Sequence, residues 1–196
     1  LVQRKMVGRE RERASGLMHF FIFWGFMVLA LREILMFGEG FREGWQEALP
    51  LLNSGSPAAY LYTFLCDLFE AIVVAMVAFA LYRRIVIRPR RLENSFEAYL
   101  ILWLILGVVG SDLLFNAAKA NLIRLHGHDL PFLHSAAWGT EMDWAPMAGL
   151  LAAAIGGWGE GLMQLFYQFG FWGHLAAILV FLCILPESKH FHIITA

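Results

Sequence analysis

Four stretches of this chain, residues 16–37, 58–82, 96–122 and 163–185, are each apolar over more residues than the ~20 that an α-helix needs to cross a hydrocarbon core. That feature constrains the fold more than any other, because a soluble domain has nowhere to put four such runs. Composition agrees: 59% of the 196 residues are hydrophobic and only 16% are charged, and the mean hydropathy is +0.60. The expected fold is all-α, a transmembrane bundle of about four spanning helices. A fifth apolar segment, 145–155, is too short to span and reads as an outer helix lying in or dipping into the interface.

Charge sets the orientation. The net charge of −1 and the isoelectric point of 6.7 hide a strong segregation along the chain. Arg4, Lys5, Arg9, Arg11 and Arg13 precede the first run, and Arg83, Arg84, Arg88, Arg90 and Arg91 follow the second. Both basic segments belong in the cytoplasm by the positive-inside rule. The loop 38–57 is rich in Gly, Pro, Ser and acids and lies outside, as does the region 123–158 with its His126, His128 and His134. Topology accounts for the basic residues, and no nucleic-acid partner is expected. Four glycines, Gly156, Gly157, Gly159 and Gly161, separate the short outer segment from the last span.

Cys66 and Cys183 fall inside apolar runs without a C-x-x-C spacing, so neither a disulfide framework nor an iron–sulfur cluster is expected within these residues. The chain opens on Leu1 and closes on Ala196 with no stop signal of its own. A single membrane domain, residues 1–196, excised from a longer protein is the expectation.

The residues that carry chemistry form two layers once depth is assigned. His19 lies one turn inside the entry of the first span, and His190 and His192 lie just past the inner end of the last. Imidazoles on different helices at one depth are what a six-coordinate haem b requires on its two faces. His174 and His192 are eighteen residues apart. On a continuous helix that is about five turns and a rise of ~27 Å, so both face one way. This phase favours His192 over His190 as the partner of His19.

The second layer collects His174, Asp67, Glu70, Asp112, Lys119, Arg32 and Glu33. Charged groups at membrane depth are disfavoured unless paired or wetted. Arg32 can neutralise one of the acids. Asp67 and Glu70, three apart on one helix face, are the candidates for proton handling at a quinone pocket, because quinone chemistry moves protons with electrons. Gly25 and Gly107 are candidates for close approach of a haem or a neighbouring helix.

Residues 174–193, HLAAILVFLCILPESKHFHI, resemble the last helix of the gamma subunit of respiratory nitrate reductase, a dihaem cytochrome b. LMHFFIFWGFMVL at 17–29 is similar to that family's earlier ligand helix, and YRRIVIRPRRL at 82–92 to its basic cytoplasmic loop. The resemblance implies axial ligation of haem iron by His19, His192 and His174. One position departs from it: the family's second histidine, ten residues after the first, is Leu29 here. One haem b is therefore implied, and a second at His174 needs a substitute ligand such as His126, His128 or His134. SKHFHIITA at 188–196 also resembles the junction in membrane-bound heterodisulfide-reductase-related oxidoreductases, where a cytoplasmic iron–sulfur domain follows the haem domain.

That resemblance implies a multi-pass protein of a prokaryotic cell membrane. It would relay electrons between a cytoplasmic iron–sulfur domain or partner, fed in some members by electron-transfer flavoprotein, and the menaquinone or quinone pool. The rival expectation is a haem-free helical bundle acting as an anchor or transporter, with the intramembrane charges as a substrate path.

Overall fold

The computed structural model describes residues 13–42, 56–88, 96–126 and 144–184. Those residues fold into five α-helices: α1 (Arg13–Phe41), α2 (Pro57–Tyr82), α3 (Phe96–His126), α4 (Pro146–Ile155) and α5 (Glu160–Ile184). Among the described residues there is no strand. Four of the helices are long and apolar enough to cross a membrane, with α4 the short exception. The chain is a multi-pass membrane protein of all-α architecture.

Local chemistry fixes the helix ends. Ser56 has extended backbone, and its hydroxyl accepts a hydrogen bond from the Ala59 N–H at 3.1 Å. Pro57 then fills the first turn, where a missing N–H loses nothing. At the other end α2 widens into a π-helical turn, Arg83–Ile87, which closes when the Arg88 N–H donates to the Arg83 carbonyl at 2.9 Å. Arg88 takes the left-handed conformation, φ 46°, and stops the helix. Arg83, Arg84 and Arg88 put positive charge at this end of the helix, where arginine side chains favour the headgroup region.

α3 is the centre of the bundle, packed against α5, α4 and α2, while α1 packs on α2. Where α3, α4 and α5 meet, Ala117, Ala120, Leu122, Ala152, Ile155 and Met163 form a core in which three alanines sit beside three large side chains. A second core joins α2 to α3 through Val73, Val77, Leu81 and Val109, with Ile22 and Leu29 of α1 against it. Small residues permit close crossing where lipid supplies no hydrophobic drive for association. Large apolar side chains such as Trp103, Trp172, Leu165 and Leu150 point outward, as a lipid-facing surface requires.

Two glycines mark the tightest crossings. A Cβ at Gly25 would meet the Val73 side chain, and one at Gly170 would lie 2.8 Å from the Phe115 backbone nitrogen. Gly107, the other glycine expected at a close approach, has only ordinary contact, 3.9 Å to Ala177. Backbone cannot step aside as a flexible side chain can. Gly170→Val should thus destabilise the α3–α5 crossing by about 1–3 kcal/mol, seen as a lower melting temperature in detergent. Gly107→Ala should leave it unchanged.

Candidate functional site

The interior of the bundle holds a charged cluster built from three helices. Arg32 of α1 donates through Nη1 to Glu70 of α2 at 2.9 Å and sits 3.0 Å from Asp112 of α3. Its Nη2 donates to Asn116 at 3.0 Å, and Asn116 donates in turn to Asp112 at 3.3 Å. All four side chains are buried. The planar guanidinium fork can serve several acceptors at fixed angles, which is why an arginine rather than a lysine suits this position. Expulsion of these charges from water is tolerable only because each is paired. Arg32 was expected to neutralise one acid; it holds two.

Asp67 has a different partner from Glu70 although they share α2. Its carboxylate accepts from the Met147 N–H at 2.7 Å and from the Ala148 N–H at 2.9 Å. Those are the first N–H groups of α4, which Pro146 opens and where no intrahelical carbonyl is available to them. A carboxylate here satisfies two orphan donors and meets the positive end of the helix dipole. At its far end, Asn121 of α3 donates to the Ala152 carbonyl at 2.8 Å. Held at both ends, α4 packs on protein, the condition under which short helices persist at membrane depth. Tyr60 stacks on Trp144 just before it. Asp67→Ala should destabilise the fold by about 1–2 kcal/mol and speed hydrogen exchange at Met147 and Ala148, whereas α5 should keep its protection.

An apolar cavity of about 300 Å³ lies among α1, α3 and α5, with Val73 of α2 also on its wall. Ile22, Phe23, Phe26, Ile105, Phe181 and Leu182 contribute to its walls. His19 and Glu33 also line it, fourteen residues apart on α1 and so separated by ~21 Å along the helix. Glu33 Oε1 is 3.0 Å from His174 Nε2. His174 is buried, and its Nδ1 lies 2.9 Å from the Val108 carbonyl and 3.4 Å from the Ser111 hydroxyl. The Ser111 hydroxyl is also close to the carbonyls of Gly107, 2.6 Å, and Val108, 2.9 Å. Leu29 sits on the same cavity wall, one turn before Glu33.

The residues singled out in the sequence are thus divided among three places. Glu70, Asp112 and Arg32 come together. Asp67 stands apart with α4, and His174 is joined to Glu33. Lys119 is buried on α3, and His19 lies at the cavity's other end. His126 pairs with Glu160 at 3.0 Å where α3 ends and α5 begins. Glu160 is fourteen residues, ~21 Å, from His174 along α5, which separates His126 from that ring. His128, His134, His190 and His192 lie outside the described residues. Among the described residues no group of three or more His, Cys, Asp or Glu is placed to hold a metal ion; a haem demands fewer protein ligands than that. The roles of Glu33, Asn116 and Asn121 carry no sequence signal beyond a polar side chain within an apolar run.

The cavity thus combines apolar walls with one imidazole, His19, and one carboxyl group, Glu33. No family model matches the chain, and no solved structure matches it. Among curated proteins it is 29% identical over 193 residues to the Bacillus subtilis protein described as "Probable iron-sulfur-binding oxidoreductase FadF". The similarity takes in 98% of this chain and 24% of the relative. Nearly the whole of this membrane bundle is thus similar to about a quarter of the length of a protein described as an iron-sulfur-binding oxidoreductase.

Proposed function

We propose that the chain is the membrane electron-transfer part of an oxidoreductase, linking an iron–sulfur domain or partner on the cytoplasmic side to a quinone. The observation that carries this reading is the apolar cavity with His19 at one end, in a chain similar over nearly all its length to part of a probable iron-sulfur-binding oxidoreductase. A haem b held by His19 and by His192, or by His190 in its place, would supply one-electron transfer at that depth. His19 presents the ligand from α1. Ile22, Phe23, Phe26 and Phe181 keep water from the ring. The arginines around Arg83–Ile87 hold this end at the cytoplasmic face, where an iron–sulfur donor can approach.

Protons must accompany electrons at a quinone. Glu70 and Asp67 are the acids we assign to that task, with Asp67 also securing α4. Glu70→Gln should slow reduction of a quinone analogue and leave haem content intact.

The test is spectroscopic. Protein purified in detergent should show reduced-minus-oxidised bands of haem b, and addition of a quinone analogue should reoxidise them. A colourless, correctly folded preparation would refute the reading and favour an anchor or transporter.

A further inference from the structure

We infer that this bundle coordinates haem at one end of its cavity only, and that Glu33 and His174 close the other end as a hydrogen-bonded pair. The inference rests on the haem reading above and limits it.

Hydrogen-bond roles decide which His174 nitrogen is open to a metal. The Val108 carbonyl can only accept, so the ring's Nδ1, 2.9 Å away, carries a proton and donates it. Nε2 is the nitrogen left to coordinate iron. It lies 3.0 Å from Glu33 Oε1, and a carboxyl oxygen and a ring nitrogen approach to that distance only with a proton between them. Nε2 is therefore engaged in this contact whichever of the two groups carries the proton, as an acceptor from a protonated Glu33 or as an N–H donor to a carboxylate.

The cavity wall shows who stands between the ring and the open space. Glu33 lines the cavity and His174 does not; His174 is 4% exposed. The glutamate thus covers the imidazole. A low-spin haem needs a second nitrogen on its opposite face, and among the described residues that line the cavity His19 and Glu33 are the two with a polar side chain. Around Glu33 the wall is Leu29, Ala30, Ile34, Val108 and Val109. None of these can donate a ligand. The His19 end has an imidazole facing the cavity, and the His174 end has a carboxyl group closing it.

Haem stoichiometry in the full-length membrane protein tests this. Pyridine haemochrome content against protein should give one haem per chain, and a redox titration should give a single one-electron wave. His174→Gln and Glu33→Gln should each keep that haem with the same band position, whereas His19→Ala should lose it. Two haems per chain, or the loss of a haem from His174→Gln, would overturn the one-ended assignment alone. Haem-free wild-type protein would overturn both this inference and the electron-transfer reading. The wild-type measurement decides even if a variant fails to fold.

Discussion

Arg32→Leu should all but remove folded protein from the membrane, a loss of about 3–5 kcal/mol in stability. The guanidinium serves Glu70 at 2.9 Å, Asp112 at 3.0 Å and Asn116 at 3.0 Å in a site sealed from water. Without it two carboxyl groups from different helices remain buried with no counter-charge. Leucine fills the volume but answers neither acid. Arg32→Lys should recover little, because a single ammonium nitrogen cannot take the positions of both Nη1 and Nη2, which reach different acceptors. Arg32→Leu combined with Glu70→Gln and Asp112→Asn should recover most of the loss, since the penalty belongs to the uncompensated charges and not to the missing side chain. Thermal unfolding in detergent, with size-exclusion profiles, reads all three. A single Arg32→Leu variant as stable as the parent would show that the cluster is solvated and contributes nothing to the fold.

How far the sequence carries one toward this arrangement depends on the range of the forces involved. Span positions follow from hydropathy and length alone. The expected run at 58–82 became α2 at Pro57–Tyr82, and 163–185 became α5 at Glu160–Ile184, because the bilayer imposes the length of each. The first and third spans run about four residues further than their apolar stretches, to Phe41 and His126. Helices there continue into the interface, where backbone hydrogen bonding still favours them although side chains have turned polar.

The short segment 145–155 was legible as a helix that cannot span. What holds it was not, since its cap, Asp67, lies eighty residues earlier and no local pattern ties a carboxylate to amides at that separation. The partners of Arg32 were half legible. Charge balance demands an acid nearby, but helix rotation decides that Asp112 joins Glu70 and that Asp67 turns away. Glu33 was the least legible of all. Its depth put it in one layer with His174 without naming a partner, and only packing sets it against that ring.

His19→Ala should leave a folded bundle that lacks its haem. His19 lines the cavity from α1, and the described side chains beside it, Ile22, Phe23 and Phe26, are apolar and offer no replacement nitrogen. Without the α1 imidazole a porphyrin would be left with the single ligand His192 and apolar contact with Phe23, Phe26 and Phe181, which suits many flat ligands equally. The substitution removes a half-buried ring at the end of a helix rather than a member of the charged cluster, so thermal stability of the haem-free protein should change little. Loss of the cofactor should be complete, and with it electron transfer to quinone.

The measurement that bears most directly on the whole account is the reduced-minus-oxidised spectrum of full-length wild-type, His19→Ala and His192→Ala proteins, purified alike in detergent. The wild type should show one b-type band, and the same band should be absent from both variants. Folded His19→Ala protein that keeps the wild-type band at full intensity would contradict it, because the cavity at the His19 end would then not be where haem is held.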